Sequence, residues 1–204
     1  LIQNIRKLFA LGLPIVGSNL AMMLIGVTDI VMVGWHSVEE LAALILATTL
    51  FFNIFILGSG VAFALMPMVS NAAAVGDDTT VRRSTRMSLW LSMIYGVMSL
   101  PIFYMSEGIF LALGQQAELA AYAADYMWIL APAIIPALWA NVMRSYLAAM
   151  EFTKVIMFIT AGVAVLNIGF NHVLIFGNYG FPELGIQGAA IASLLVNILT
   201  AVIT

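Results

Sequence analysis

The chain lacks cysteine and carries very little charge. None of its 204 residues is Cys, and only 8% are Asp, Glu, Lys or Arg. The absence of Cys excludes disulfides and thiolate metal sites within this sequence. A soluble domain carries about 25% charged residues, so this chain has too few to cover a water-facing surface. Because 63% of its residues are hydrophobic, we predict an integral membrane protein.

Enzyme signatures are also missing from the sequence. The stretch HSVEE, residues 36–40, has the wrong order for the zinc motif HExxH, and there is no P-loop or glycine-rich dinucleotide turn. Neither of the two His residues has a nucleophile at a recognisable spacing. We therefore predict a protein that is not an enzyme, with no cofactor and no nucleic-acid partner.

Long apolar runs dominate what is present. A membrane-spanning helix needs about 20 predominantly apolar residues, whereas a β-barrel would show ten-residue alternation, which is not seen. The sequence predicts an all-α polytopic membrane protein. Its six spans are expected at about 8–34, 42–74, 85–106, 120–148, 153–177 and 185–204.

Proline and small residues mark three places within these spans. Gly58, Gly60 and Pro67 predict a bend or a break in the second span. Pro132 and Pro136 in the fourth span leave carbonyls without helical partners, which is typical of a bend or a cavity wall. The sixth span opens with LGIQGAAIAS, residues 184–193, whose small residues at four-residue spacing predict close packing of helix backbones.

All Lys and Arg residues fall in or beside the connections on one side of the predicted membrane. They are Arg6, Lys7, Arg82, Arg83, Arg86, Arg144 and Lys154. The positive-inside rule then places the amino terminus in the cytoplasm, and we expect a plasma (inner) membrane location. The sequence has no initiator Met and its last apolar run has no flank, so we expect a piece of a longer chain. No cleavable signal peptide is predicted.

Two acidic residues lie within the predicted spans. Asp125 is about a turn inside the outer end of span four, and Asp29 lies deeper in span one. A charge near the bilayer centre costs about 2.5–3.5 kcal/mol on insertion scales, so Asp29 is a functional candidate by default. The alternative is that Asp29 only hydrogen-bonds a distorted helix. Asp125, Pro132 and Pro136 are candidates for a substrate cavity.

Counting along the spans places three more polar residues at the depth of Asp29. They are Asn167 and Asn171 in span five and Ser193 in span six. At about 1.5 Å per residue, all four lie roughly 9–15 Å below the outer surface, and the i, i+4 spacing puts both amides on one face. Low dielectric disfavours a charged carboxylate, and amide and hydroxyl oxygens suit a small hard cation. We therefore predict a proton or cation site, with Asp29 and Asn171 as Na⁺ ligands if the ion is Na⁺. Amides also connect helices, so a purely structural role for the two Asn residues stays open.

Two stretches resemble one transporter family. They are VTDIVMVGWHSVEELAA (27–43) and VLNIGFNHVLIFGNYGFPELGIQGAAIAS (165–193), together with the Gly60 to Pro67 pattern of span two. The chain resembles the multidrug and toxic compound extrusion (MATE) family, nearest its NorM-like branch. The resemblance covers essentially the whole chain, as the amino-terminal half of a twelve-helix transporter.

The resemblance implies two six-helix lobes and alternating access driven by inward H⁺ or Na⁺ flow, with organic cations exported. It assigns the amino-lobe ion site to Asp29, with Asn167, Asn171 and Ser193 as partners. Some archaeal relatives carry an aspartate where this sequence has Asn171, which leaves Asp29 as the only deep acid here. The expected partners are small organic cations, the transported H⁺ or Na⁺, membrane lipids and the carboxy-terminal lobe of the same chain.

Two other functions remain open at this stage. A related flippase moving a lipid-linked substrate would have the same architecture, but it should show a basic cavity for phosphate. The sequence places no Lys or Arg at mid-depth. A non-transporting membrane scaffold would bind no ion at Asp29.

Overall fold

The protein is helical throughout the part that the structure describes. The computed structural model describes the backbone of residues 2–204 and the side chains of residues 12–204. No strand occurs in residues 2–204, which confirms the all-α prediction. The α-helices are α1 (Ile2–His36), α2 (Val38–Ala74), α3 (Asp78–Tyr104), α4 (Ser106–Ala112), α5 (Ala117–Leu130), α6 (Ile134–Ala149), α7 (Thr153–Phe176) and α8 (Gly185–Ile203).

Six helical stretches in the described part are long and apolar enough to cross a membrane. They are Gly12–His36, Val38–Ala74, Asp78–Tyr104, Ala117–Ala149, Thr153–Phe176 and Gly185–Ile203. α2 and α3 begin before the spans expected from their apolar runs, because their polar first turns are also helical. The side chains of Arg6 and Lys7, used in the charge argument, lie outside the described residues.

The second and fourth spans, both of which contain proline, behave differently. α2 is one uninterrupted helix with Pro67 inside it, so the second span does not break there, and the other expectation, a bend, stays a prediction. The fourth span is interrupted by a 3₁₀ turn, Ala131–Ala133, between α5 and α6. Pro132 lies in that turn, where its missing N–H and ring displace the α-helical hydrogen bonds.

Turn residues define the helix ends. Ser37 caps α2 by accepting from the Glu40 N–H at 3.4 Å, and Asp77 caps α3 by accepting from the Thr80 N–H at 3.0 Å. The Asp77 side chain also accepts from the Thr80 hydroxyl. These hydrogen bonds favour the charged carboxylate and lower the pKa of Asp77 below its usual value.

Helices α1, α7 and α8 pack side by side and carry the polar residues of interest. α7 packs against both α1 and α8, and α2 packs against α3 and α6. Gly188 of α8 lies so close to α7 that an added Cβ would strike the backbone of Leu174. Ala189 and Ala192 are fully buried, as the small-residue pattern predicted.

The two ends of the bundle differ in charge. At one end, the His36 ring bridges Glu40 of α2 at 2.8 Å and Glu183 before α8 at 3.0 Å. At the other end, Arg82 and Arg86 of α3 line a shallow pocket with Tyr146 of α6. The acidic connections and the basic connections therefore lie at opposite ends of the bundle.

Candidate functional site

Asp29 is the centre of a polar cluster formed by three helices. Its Oδ1 accepts from the amide of Asn171 at 2.5 Å and from the amide of Asn167 at 3.2 Å, both on α7. Its Oδ2 lies 3.4 Å from the Ser193 hydroxyl of α8, which donates to it. The structure thus brings together the four residues that depth counting placed in one layer.

The positions along α7 explain why both amides reach the same carboxylate oxygen. Asn167 and Asn171 are four residues apart, so they lie on one face of the helix, and both are fully buried. The Asn171 amide also lies 3.4 Å from Asn167 Oδ1, to which it donates. α7 therefore presents a continuous row of amides to α1.

One oxygen in this cluster has no partner. Asn171 Oδ1 is buried and accepts no hydrogen bond from the described residues. A buried acceptor without a donor costs about 1–3 kcal/mol, and native structures rarely leave one without a reason. The free oxygen beside a carboxylate is suited to accept a proton donor or to contact a small cation.

The donor set fits a proton or a monovalent cation. It consists of one carboxylate, two amides and a hydroxyl, and Na⁺ is a hard cation that oxygen ligands of this kind can hold. Residues 12–204 contain no group of three or more His, Cys, Asp or Glu that could hold a metal ion. One negative charge surrounded by neutral amide and hydroxyl groups matches the charge of H⁺ or Na⁺. The ion-binding role of these residues stays a prediction.

Tyr126 of α5 was missed by the sequence analysis. It is among the largest fully buried side chains, and its hydroxyl lies next to Ser193 and near Asp29. A buried Tyr hydroxyl usually finds a hydrogen-bond partner. A Tyr in the middle of a predicted span therefore indicates polar groups nearby, and this pattern could have predicted Tyr126 from the sequence.

The remaining site candidates lie away from the cluster. Asp125 precedes Tyr126 but points to a different side of α5, since neighbouring helical residues are about 100° apart, and it is exposed. Pro132 is exposed and Pro136 is half-buried, both at the interruption between α5 and α6. The structure does not bring these three residues to Asp29, and their role in a substrate cavity stays a prediction.

A cavity of about 210 Å³ lies directly beside the cluster, toward the basic end of the bundle. Its wall residues include Ile25, Val163 and Asn197. Along their own helices they lie four residues from Asp29, Asn167 and Ser193, in that order. The Asn197 amide donates to the Ser193 carbonyl at 2.8 Å. This volume is far above the roughly 10–15 Å³ that one water needs, and it is separated from Asp29 by a single helical turn.

The cavity contains one basic side chain. Arg144 of α6 lines it, together with Phe51, Phe52 and Phe55 of α2. The sequence placed Arg144 beside the turn between spans four and five, with no Lys or Arg at mid-depth. In the structure Arg144 lies five residues inside the end of α6, and its long side chain reaches the cavity.

Comparison with known families decides the classification. The MatE family model matches residues 14–173 of the chain. The chain belongs to the MATE family. This is a family of membrane transporters, so the chain is part of a multi-pass membrane protein and not of an enzyme.

Two similar curated proteins carry the same name. The chain is 47% identical over 201 residues to the probable multidrug resistance protein NorM of Rhizobium meliloti (strain 1021), covering 98% of this chain and 43% of that protein. It is 38% identical over 195 residues to the protein of the same name from Agrobacterium fabrum, covering 96% of this chain and 42% of that protein. The chain spans about two fifths of the length of these relatives. The resemblance to the NorM-like branch is confirmed, and the coverage is consistent with an amino-terminal half.

Solved MATE structures share the fold. A MOP superfamily transporter from Pyrococcus furiosus superposes with a TM-score of 0.86 at 23% identity, covering 96% of this chain and 42% of that one. The outward-facing conformation of a multidrug resistance MATE transporter gives a TM-score of 0.84 at 24% identity, covering 96% of this chain and 43% of that one. The chain therefore has the fold of one lobe of such a transporter.

Proposed function

We propose that this chain forms the ion-coupling lobe of an antiporter that exports organic cationic drugs or toxic compounds in exchange for H⁺ or Na⁺. The observation that carries the proposal is the Asp29 cluster: a carboxylate within a membrane-length helix, hydrogen-bonded by Asn167, Asn171 and Ser193 from two other helices. The names of the NorM relatives support multidrug transport as the activity of the whole protein.

Loading of Asp29 changes the hydrogen bonds of the cluster. A charged carboxylate only accepts hydrogen bonds, whereas a protonated one also donates. Asn171 Oδ1 is a buried acceptor without a donor among the described residues, so a proton on Asp29, or Na⁺ beside it, supplies a partner. Loading therefore changes which hydrogen bonds join α1 to α7: the charged carboxylate accepts stronger hydrogen bonds from the two amides, whereas the loaded one also supplies a partner to Asn171 Oδ1.

α1 contains residues suited to transmit this change. Pro14 lies inside the helix, and no atom lies within 4 Å of a Cβ added at Gly26. Both positions allow a change of helix direction without a clash. α1 then alternates between straight and bent shapes as Asp29 is loaded and released.

The cavity beside the cluster connects the ion to the cargo. Ile25 lines the cavity one turn from Asp29 on the same face of α1. Cargo and coupling ion thus act on neighbouring turns of one helix, and each favours a different α1 shape. A gradient of one then drives movement of the other, because coupling of two binding events is reciprocal.

The Asp29→Asn variant of the full-length transporter tests this proposal. Asn keeps the size of the side chain but binds neither a proton nor the charge of a cation as Asp does. We expect efflux of a cationic dye driven by a pH or Na⁺ gradient to fall at least tenfold at equal expression. Asp78→Asn, an exposed acid at the start of α3, is the matched control and should keep normal efflux. Undiminished efflux by the Asp29→Asn variant removes Asp29 from the mechanism.

The membrane orientation follows from the charged ends of the bundle. We propose that the end with Arg82 and Arg86 faces the cytoplasm and that the His36 end faces outward, in the plasma (inner) membrane. The excess of Lys and Arg at one end supports this orientation through the positive-inside rule.

A lipid-linked substrate flippase is the second candidate function. Arg144 in the cavity wall favours it, because a flippase of this kind needs a cation to hold a phosphate. A single Arg beside three Phe residues is less than the basic cavity expected of that function. The scaffold alternative has no such observation in its favour, since the family is one of transporters.

A further inference from the structure

Arg144 is held across the cavity without a charged partner. Its Nη1 lies 3.1 Å from Met22 Sδ of α1, and a thioether sulfur is only a weak acceptor. No carboxylate among residues 12–204 forms a salt bridge with Arg144, and residues 1–11 contain no Asp or Glu. The lobe therefore leaves the charge of this guanidinium uncompensated.

The other polar side chains of the cavity wall are already used within their own helices. The Thr160 hydroxyl donates to the Ile156 carbonyl at 2.8 Å, and the Thr200 hydroxyl donates to the Val196 carbonyl at 2.7 Å. The Asn197 amide donates along α8. The guanidinium, with five N–H donors in a fixed fork, is thus the charged hydrogen-bonding group of this wall.

The rest of the wall is apolar and aromatic. Phe51, Phe52 and Phe55 of α2 face the space together with Ile25 of α1 and Val163 of α7. Such a surface binds a flat apolar body through burial of its area. A guanidinium pairs best with a carboxylate or phosphate, often through two parallel hydrogen bonds.

We propose that this cavity binds an amphipathic molecule whose anionic group, a carboxylate or phosphate, is held by Arg144 while its apolar body packs on the three Phe side chains. This inference rests on the proposed transport function and names a cargo class for it. Met22 and Asp29 are seven residues apart on α1, or roughly 10 Å. A zwitterion can therefore place its anion at Arg144 and its cationic end toward Asp29.

A pair of fluorescent probes that differ in one charge tests the anion site. Dansylglycine carries a carboxylate, and its methyl ester has the same apolar body without it. In the full-length transporter in nanodiscs, we expect Arg144→Gln to weaken dansylglycine binding about tenfold or more, because a hydrogen bond to a charged group is lost. Binding of the ester should not change, and Arg144→Lys should keep part of the preference for the acid.

The matched control is Arg83→Gln, the same charge change at an exposed position of α3, which should leave both probes unaffected. Equal binding of dansylglycine by wild type and Arg144→Gln overturns the inference, as does an equal loss for acid and ester. If Arg144→Gln does not fold, the comparison of the two probes on the wild-type protein is the test. The inference is overturned if the wild-type protein does not bind dansylglycine more tightly than its methyl ester.

Competition identifies the source of the anionic group. Displacement of dansylglycine by short-chain phosphatidylglycerol, but not by benzoate, supports the site and assigns it to a lipid headgroup. Displacement by benzoate supports it and assigns it to a soluble carboxylate. Failure of both anions to compete overturns the inference.

The binding test is independent of ion coupling. Normal efflux by the Asp29→Asn variant together with Arg144-dependent binding refutes the coupling proposal and keeps the anion site. Loss of efflux in the Asp29→Asn variant together with Arg144-independent binding keeps the coupling proposal and refutes the anion site.

Discussion

At the scale of residues, one carboxylate is kept within a membrane-length helix by three neutral side chains. Each contact to Asp29 comes from another helix, and the strongest by distance is the Asn171 amide at 2.5 Å. Hydrogen bonds to charged groups contribute more than those between neutral groups. In the proposed function, the affinity of the cluster for its ion therefore depends on amides that carry no charge themselves.

Asn171 should matter more than Asn167. Asn171 contacts Asp29 at 2.5 Å and offers the unpartnered oxygen, whereas the Asn167 contact is longer at 3.2 Å. We expect Asn171→Leu, which keeps the volume and removes the amide, to reduce ion-driven dye efflux about tenfold. Asn167→Leu should reduce it less.

Dye efflux in everted vesicles at matched expression measures both variants. Asn178→Leu, at a half-buried position beyond α7 where the amide hydrogen-bonds His172 and not Asp29, controls for loss of an amide as such. Equal efflux from Asn171→Leu and wild type would show that the amide row is structural.

Four residues of the cluster could be predicted from the sequence, but the neighbouring Tyr126 could not. Depth along each span is a count of residues, so Asp29, Asn167, Asn171 and Ser193 could be placed in one layer before their contacts were known. Tyr126 was not predicted, because a Tyr within an apolar run is usually part of the hydrophobic core. Whether Asp125 or Tyr126 points inward depends on the rotation of α5, which neighbouring helices set.

At the scale of elements, backbone contacts between helices position the cluster. Asn167 and Asn171 reach Asp29 only because α7 lies against α1, and Ser193 reaches it because α8 lies against α7. The small residues of α8 permit that approach. The distances within the cluster thus depend on Gly188 although it is not part of the site.

Substitution of Gly188 should disturb the α7–α8 contact. A Cβ there would strike the backbone carbonyl group of Leu174, and backbone cannot rotate away. We expect Gly188→Ala to lower the melting temperature of the purified transporter by several degrees, since overpacking costs about 1–3 kcal/mol. Ion affinity should fall with it.

The matched control is Gly169→Ala in α7. No atom lies within 4 Å of a Cβ added there, and Ala is the better helix former. That variant should melt at or above the wild-type temperature. A Gly188→Ala variant as stable as Gly169→Ala would contradict the close approach of the two helices.

Helix interruptions were the least predictable elements. Pro67 and Pro132 both lie inside apolar spans, yet α2 continues through Pro67 while the fourth span changes to a 3₁₀ turn at Pro132. A proline removes one helical hydrogen bond in either case. Neighbouring helices decide whether the freed groups are satisfied in a continuous helix or in a turn, and that information is not local to the proline.

At the scale of the whole molecule, the lobe has an acidic end, a basic end and, between them, the polar cluster around Asp29. His36 bridges Glu40 and Glu183 at one end, and the basic side chains of α3 lie at the other. The Asp29 cluster and the cavity with Arg144 lie on successive turns of α1 within the bundle. In the proposed function, ion and cargo thus bind inside one lobe, on neighbouring turns of α1.

The central claim is that Asp29 releases its ion when cargo binds. The most direct measurement is ion release from the purified full-length transporter on addition of a cationic dye, followed with a pH indicator in weak buffer and with a sodium electrode in parallel. We expect the wild-type protein to release H⁺ or Na⁺, and the Asp29→Asn variant to bind the dye with clearly reduced release. Undiminished ion release from a folded Asp29→Asn variant would contradict the account.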